Sequence, residues 1–181
     1  MEQQKLIFKF PRRKEQGVIM KTQLTTLLLI LYDNQILLAE KKRGFGIGKF
    51  NGIGGKVEKD ETIEEALIRE TQEEIGVTPT DFTKRAIITF DEWVNDEEKQ
   101  VIMSVFVAQS YIGKIVETDE MRPQWFNLND IPYDKMFEDD KIWLPEILKG
   151  NKLNAKFVFD KEFKMISSKI DIVNELENIK E

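Results

Sequence analysis

Two apolar blocks near the start of the chain predict its first strands. Residues 24–31 and 35–39 are rich in leucine and isoleucine, and Asp33 and Asn34 between them are residue types that favour tight turns. This pattern predicts a β-hairpin. A glycine-dense stretch follows at 43–55, where the absence of side chains lets the backbone approach a ligand closely.

Residues 62–76 carry apolar residues at helical spacing between two end signals. Thr62 followed by Glu65 three residues later has the pattern of a capping box, which marks the start of a helix. Gly76 is typical of the position that follows a helix. The pattern therefore predicts a helix that begins after Thr62 and ends before Gly76.

The rest of the chain predicts more strands and a second helix. These elements are strands at 86–90 and 101–108 joined by an acidic turn at 95–98, an extended piece at 123–126, a helix at 139–149 and a hairpin of 157–159 with 163–166. No repeat, low-complexity linker or shift in composition marks a second domain.

We therefore expect three regions along the chain. They are an N-terminal extension at 1–21, one domain at 22–170, and a C-terminal tail or short helix at 171–181. The extension is rich in lysine and arginine. A solvated or disordered segment is the simpler interpretation, because chain termini are usually loosely held. An anion-binding arm is the alternative.

Composition narrows the chemistry of this chain of 181 residues. It contains no cysteine and no histidine, which excludes disulfides, thiolate chemistry, and the commonest zinc ligand and general base. The net charge of −6 argues against bulk attraction to nucleic acid. No apolar run approaches the roughly 20 residues of a membrane span, and no signal-peptide pattern opens the chain. We expect a cytoplasmic protein with no membrane partner and no stable nucleic-acid partner.

Carboxylates continue the apolar stripe of the first predicted helix. At about 100° per residue, Glu70 and Glu74 fall on the side of Ile63 and Leu67, and Glu73 lies at the edge of that stripe. Like charges at these spacings repel one another, and burying them without a partner would cost considerably more. A positive partner is therefore expected against this face.

Three interpretations of this acidic face remain open. Arg69 and Lys56 are near in sequence and could neutralise it, and a solvated helix with surface ion pairs would need no further partner. Oxygen ligands clustered in this way also suit Mg²⁺, with Mn²⁺ as the alternative, and both metals bind phosphate.

The surrounding residues resemble a Nudix box, a loop, helix and loop that binds metal and diphosphate. The matching positions are Gly55, Glu61, Arg69, Glu70, Glu73, Glu74, Gly76 and Val77. Thr71 occupies an aliphatic position of the motif, a departure that affects packing rather than chemistry. The resemblance implies an α/β fold, the Nudix α/β/α sandwich with a mixed β-sheet between helices. It also implies Mg²⁺-dependent cleavage of a nucleoside-diphosphate linkage.

The resemblance further implies roles for individual residues. The expected metal ligands are Glu70, Glu73, Glu74, Glu120 and the backbone carbonyl of Gly54. One of these carboxylates would accept a proton from the attacking water. Arg69 resembles the arginine that orients the catalytic glutamates, with a surface arginine as the alternative. Glu120 resembles a loop glutamate that reaches the metals, with a solvated loop acid as the alternative.

Residues outside the box narrow the resemblance to MutT-type oxidised purine nucleoside triphosphatases. The segments at 41–48, 51–57, 119–126 and 139–145 are similar to that group, and the similarity runs from about residue 24 to residue 166. The implied substrate-binding residues are Thr26, Lys41, Phe45, Asn51, Gly54, Gly55, Lys56, Phe90, Phe137, Asp139 and Asp140. The implied activity is hydrolysis of oxidised purine (deoxy)nucleoside triphosphates, of the 8-oxo-dGTP or 2-hydroxy-dATP type, to a nucleoside monophosphate and pyrophosphate.

In that group an asparagine and two adjacent aspartates hold a purine base between aromatic residues. Asn51, Asp139 and Asp140 occupy the corresponding positions, and Phe45 and Phe90 match the aromatic ones. Two adjacent carboxyl groups that face a base can share a proton, so the pair can both donate and accept hydrogen bonds. A helix start is the alternative role for the aspartates, and core packing is the alternative for the aromatic residues.

Three positions depart from that group. Phe50 and Phe137 replace tryptophans, and Val101 replaces a methionine. A smaller ring at Phe137 would stack less area on a base, so the preferred base is open. Other substrates remain as alternatives, namely unmodified nucleotides, ADP-ribose, dinucleoside polyphosphates or capped RNA, as does a non-catalytic nucleotide-sensing module. We expect a monomer, with a homodimer as the alternative.

Overall fold

The computed structural model describes residues 21–94 and 97–177. The described elements are β1 (Lys21–Tyr32), β2 (Gln35–Lys41), β3 (Phe50–Asn51), α1 (Ile63–Ile75), β4 (Val77–Val94), β5 (Glu97–Gly113), β6 (Met121–Asn127), a short 3-10 helix (Tyr133–Lys135), α2 (Asp140–Leu148), β7 (Lys152–Phe159) and β8 (Met165–Val173). Lys21 already belongs to β1, and the rest of the expected N-terminal extension lies outside the described residues.

The strands form one mixed sheet. Its order is β3-β2-β1-β5-β4-β7-β8, and β6 pairs with β2 outside this path. The pairs β1 with β5 and β4 with β7 are parallel, and the other strand pairs are antiparallel. The predicted hairpin of β1 and β2 and the final hairpin of β7 and β8 are both present, but Phe163 and Lys164, predicted as strand, lie in the turn before β8.

The two helices cover opposite faces of this sheet. Alternate residues of β1 point to opposite faces, and they divide between two buried clusters. Leu27 and Leu29 lie in the cluster that contains Trp143 of α2, whereas Leu28 lies in the cluster that contains Leu67 of α1. The expected α/β/α sandwich with a mixed sheet is therefore confirmed. Among the described residues, no helix is long and apolar enough to cross a membrane.

Helix α1 has the predicted ends. The Thr62 hydroxyl accepts from the Glu65 amide at 3.2 Å, and the Glu65 carboxylate accepts from the Thr62 amide at 2.8 Å. Gly76 ends the helix in the left-handed conformation, with φ of 77°. Thr71, the unusual residue of the motif, is buried, and its hydroxyl donates to the Leu67 carbonyl at 2.6 Å.

Two strands are much longer than predicted. The predicted strands at 86–90 and 101–108 are the central parts of β4 and β5, which pair along nearly their whole length. Glu97 and Glu98, predicted as part of the acidic turn, belong to β5, and residues 95–96 lie outside the described residues. Cross-strand pairing extends these strands past the apolar stretch, so hydrophobic alternation alone did not reveal their ends.

Smaller differences concern the second helix and the C-terminal segment. Helix α2 begins at Asp140, one residue later than predicted, and ends at Leu148. Strand β8 continues to Val173, so the first three residues of the expected tail or short helix are strand. Residues 178–181 lie outside the described residues.

The capping box makes the stability of α1 testable. Thr62→Ala removes the oxygen that accepts from the Glu65 amide, so we expect the free energy of unfolding to fall by about 1 kcal/mol in urea titrations. Thr62→Ser keeps a hydroxyl at this position and serves as the matched control. Equal stability of the two variants would contradict the assigned cap.

Candidate functional site

The glycine segment, residues 43–55, places its last residues against the acidic face of α1. Gly54 has φ of 155°, and a Cβ there would collide with the Thr26 carbonyl of β1. A Cβ at Gly55 would lie 2.5 Å from the Glu70 carboxylate. The Gly54 amide donates to a carboxylate oxygen of Glu74 at 3.0 Å. A side chain at Gly54 would therefore collide with the β1 backbone, and one at Gly55 would displace the Glu70 carboxylate.

Glu74 is the buried member of the acidic face. Only 2% of Glu74 is exposed to solvent. The pKa of its carboxyl is raised to about 7, chiefly by burial, with the charges of Glu70 and Glu73 adding to the rise and the Gly54 amide and the Lys41 charge opposing it. A carboxyl group with this pKa carries a substantial share of both protonation states near neutral pH. It can therefore take up or release a proton there.

Arg69 holds the other carboxylates around one guanidinium group. Its nitrogens donate to the two oxygens of Glu61 at 2.7 and 3.1 Å, to Glu70 at 2.9 Å and to Glu73 at 3.2 Å. It also donates to the Lys56 carbonyl at 3.0 Å. The Arg69 hydrogen bonds lower the pKa of Glu61. Arg69 is therefore not a free surface arginine, and it orients two of the predicted metal ligands.

The oxygen atoms at this face are compatible with a hard dication. Glu70 and Glu73 each bind Arg69 through one carboxylate oxygen, and Glu74 binds Gly54 through one of its two oxygens. The second oxygen of each carboxylate makes no hydrogen bond within residues 21–94 and 97–177. In the same part of the chain, however, no three acidic side chains are close enough to form a preformed metal cluster. The metal-ligand assignment therefore stays a prediction.

Glu120 lies on a loop that is anchored to the end of α1. The Thr118 hydroxyl donates to the Glu74 carbonyl at 2.9 Å and accepts from the Met121 amide at 3.2 Å. The Glu120 carboxylate forms an ion pair with Arg43 of the glycine segment. The structure thus brings the loop to the acidic helix, but it pairs the Glu120 carboxylate with Arg43.

The two adjacent aspartates at the start of α2 are both buried. Trp143 donates its indole N–H to Asp139 at 3.0 Å, and the Phe137 amide donates to Asp140 at 2.9 Å. Burial raises the pKa of both carboxyl groups, and the charge of Asp139 raises that of Asp140 further. This aspartate pair therefore favours a protonated state that can donate a hydrogen bond. Asp139 stands at the N-cap position without a side-chain cap, and Asp140 lies in the first turn of α2, so a helix-start role is compatible with base binding.

Phenylalanine rings lie next to the aspartate pair. Phe45 and Phe137 stack with their ring centroids 5.5 Å apart and their planes 15° apart. Phe45 is 65% exposed, so it is not a core residue. Phe90 is half-buried and stacks on the buried ring of Phe157 at 5.8 Å, which is consistent with the core-packing alternative.

The other predicted substrate-binding residues are dispersed around these two groups. Asn51 is half-buried, and its side-chain oxygen accepts from the Gly52 amide at 2.8 Å. The Thr26 hydroxyl is buried and has no hydrogen-bond partner among the described residues. Lys41 is close enough to Glu74 to lower its pKa, and the Lys56 side chain is exposed. Their roles in binding stay predictions.

Phe50 and Val101, two of the three residues that differ from the related group, lie at well-defined positions in the fold. Phe50 is 7% exposed and meets Phe126 edge to face at 4.9 Å, so it belongs to the core. Val101 is half-buried and pairs with Phe90 across β4 and β5. Phe50 therefore lies in the buried cluster that also contains Trp143.

Two charged residues near the aspartate pair were not predicted from the sequence. Glu92 follows Phe90 by two positions, so both side chains face the same side of β4. Burial raises the pKa of Glu92, and the negative charge of Asp139 raises it further. Lys49 donates to the Met136 carbonyl at 2.9 Å and lies 5.3 Å from the Phe137 ring centroid. The alternation of β4 could have revealed Glu92, whereas no local pattern indicates Lys49.

Comparison with known proteins agrees with this geometry. A family model described as the NUDIX domain matches residues 21–147. The chain is 41% identical over 155 residues to an oxidized purine nucleoside triphosphate hydrolase of Danio rerio, covering 86% of this chain and 98% of that protein. It is 40% identical over 146 residues to the protein of the same description from Mus musculus, covering 81% and 92%.

A solved structure shows the same fold. The MutT protein of Bacillus halodurans superposes with a TM-score of 0.73 at 24% identity, over 82% of this chain and 97% of that one. Two findings decide the family of this chain. The family model matches most of the chain, and two relatives are 40% and 41% identical to it over nearly their full length. This chain therefore belongs to the Nudix hydrolase family.

Proposed function

We propose that this protein hydrolyses oxidised purine (deoxy)nucleoside triphosphates, of the 8-oxo-dGTP or 2-hydroxy-dATP type, to a nucleoside monophosphate and pyrophosphate. The observation that carries the proposal is the buried aspartate pair, Asp139 and Asp140, beside the stacked rings of Phe45 and Phe137. The names of the relatives from Danio rerio and Mus musculus support the same substrate class.

The acidic face of α1 is the proposed diphosphate side of the site. Glu70, Glu73 and Glu74, the Gly54 carbonyl and Glu120 would hold Mg²⁺, or Mn²⁺ in its place. A bound divalent cation supplies charge neutralisation at the diphosphate and lowers the pKa of water. Arg69 keeps Glu70 and Glu73 oriented, because it donates to both. Glu74 has a pKa near neutrality and is suited to hold the proton that the attacking water loses.

The aspartate pair is the proposed reader of the base. Because the pair favours a shared proton, it presents both a donor and an acceptor to a purine edge. Oxidation of a purine changes the donor and acceptor pattern of that edge. A site built on such hydrogen bonds rejects analogues that leave its buried polar groups unpaired.

A panel of nucleotides with Mg²⁺ tests the proposal. The panel contains 8-oxo-dGTP, 2-hydroxy-dATP, unmodified dGTP and dATP, ADP-ribose and a dinucleoside polyphosphate, and the products are identified by chromatography. We expect the modified purine triphosphates to have the highest kcat/KM and to yield monophosphate and pyrophosphate. Faster turnover of dGTP or ADP-ribose would reassign the substrate, and no turnover of any compound would favour a nucleotide-sensing module.

Glu74→Gln tests the acidic face through two independent readouts. We expect turnover to be lost, because the variant cannot hold the proton. In metal-free buffer the free energy of unfolding should also rise relative to the wild type. The native pKa of about 7 exceeds the ordinary value of 4.5, so the ionised carboxylate weakens the native state increasingly as pH rises from 4.5 to 7. The gain of the variant should therefore be about 3 kcal/mol larger at pH 8 than at pH 4.

The matched control for this variant is Glu73→Gln. The Glu73 side chain is 61% exposed, so its replacement removes no buried carboxylate and a smaller gain in the free energy of unfolding is expected in urea titrations. A gain for Glu74→Gln that is the same at pH 4 and pH 8 would contradict the assigned burial. Full activity of Glu74→Gln would contradict its assignment to the reaction.

Asp140→Asn tests the reading of the base. The variant replaces the shared proton by a fixed amide donor, so we expect kcat/KM for 8-oxo-dGTP to fall about 10- to 100-fold. The value for dGTP should change much less. Asp134→Asn, an exposed acid on the preceding 3-10 helix, is the control and should retain full activity. Equal losses for both nucleotides would show that Asp140 does not discriminate between bases.

A further inference from the structure

Six phenylalanine rings form a continuous row from the glycine segment to the sheet. In order of contact they are Phe137, Phe45, Phe163, Phe159, Phe90 and Phe157. The row begins at the aspartate pair, because the Phe137 amide donates to Asp140. Phe163 connects its exposed end to its buried end, since it touches Phe45 at a centroid distance of 4.9 Å and Phe159 at 4.8 Å.

Phe163 adopts an uncommon backbone conformation in the turn between β7 and β8. Its φ is 58°, a left-handed conformation that is an outlier for a bulky side chain. Asp160 holds this turn: its carbonyl accepts from the Phe163 amide at 3.0 Å, and its carboxylate accepts from the Lys164 amide at 2.9 Å. A residue in such a conformation persists only where its surroundings stabilise it. Here the ring lies almost parallel to Phe159, with 15° between the planes.

The backbone on either side of Phe45 is held within the glycine segment, whereas its ring is largely exposed. The Gly44 and Gly46 carbonyls both accept hydrogen bonds from amides of the segment. Phe45 is 65% exposed, and its aromatic contacts among the described residues are with Phe137 and, nearly perpendicular, with Phe163. The orientation of the Phe45 ring therefore depends on these two rings.

If the base lies between Phe45 and Phe137, the space between the two rings has to widen. Their centroids are 5.5 Å apart, whereas a planar base between two rings needs two van der Waals spacings of about 3.5 Å each. Phe45 must then leave its direct contact with Phe137. The remaining aromatic neighbour that can stabilise the displaced ring is Phe163, which the turn and Phe159 keep in place.

We propose that Phe163 is a positioning residue for the base, which acts by supporting Phe45 as one wall of the purine site. This inference rests on the proposed function, since it assumes that Phe45 and Phe137 enclose the base. Phe163 supplies a ring contact to Phe45, which in turn stacks on Phe137, the position where the related group carries a larger tryptophan. The two-ring purine depends on this support more than a single-ring pyrimidine, because it covers more of the Phe45 face.

A purely structural role for Phe163 makes a different prediction. If its ring only packed beneath the turn, its removal would lower the free energy of unfolding without changing nucleotide affinity. A positioning role requires that KM and the Kd of a non-hydrolysable purine triphosphate rise while kcat stays unchanged. It also requires that the effect pass through Phe45.

The test is a double-mutant cycle between Phe163→Ala and Phe45→Ala. The readouts are kcat and KM for the best purine substrate of the protein, and Kd for its non-hydrolysable analogue by calorimetry. We expect Phe163→Ala to raise KM and Kd about 3- to 10-fold with unchanged kcat, and to have little effect once Phe45 is alanine. Phe163→Tyr keeps the ring and should restore affinity. Lys164→Ala, an exposed neighbour in the same turn, is the control.

Unchanged Kd in Phe163→Ala, or the same fold-change in the Phe45→Ala background, would overturn the inference. If Phe163→Ala does not fold, Phe163→Leu removes the ring while keeping apolar volume, and the same criteria apply. Failure of the proposed function is separately visible. In that case the modified purines show no preference in the panel, whereas coupling between Phe45 and Phe163 is still measured with whichever nucleotide binds.

Discussion

The contact between the Gly54 amide and the buried Glu74 carboxylate is the constraint on which the rest of the site depends. It brings the glycine segment, strand β1 and helix α1 together at a place where a side chain at Gly54 would collide with the β1 backbone and one at Gly55 would displace the Glu70 carboxylate. The acidic residues beside it are tolerated because Arg69 donates to several of them. The helix that carries them is fixed at both ends by local caps.

The glycine segment also connects the two halves of the site. Its end, at Gly54 and Gly55, contacts the carboxylates on the α1 face, and its beginning carries Phe45, which stacks on Phe137 near α2. One stretch of backbone therefore spans the proposed diphosphate side and the proposed base side.

Local features were predictable from the sequence, and features set by distant contacts were not. The caps at Thr62 and Gly76 and the glutamates of α1 follow from spacing within a dozen residues. The outer parts of β4 and β5 are held by their pairing, so their apolar pattern did not mark them. The ion pair of Glu120 with Arg43 and the contact of Phe163 with Phe45 join residues far apart in the chain, which no periodicity indicates.

A crystal structure with Mn²⁺ and a non-hydrolysable 8-oxo-dGTP analogue would show where the metal and the base bind. Anomalous scattering would locate the metal without assumptions about its ligands. We expect an anomalous peak within coordination distance of Glu70, Glu73 and Glu74 and of the analogue's phosphates, with the base against Asp139 and Asp140. A metal bound away from these glutamates, or a base bound away from the aspartate pair, would contradict this expectation.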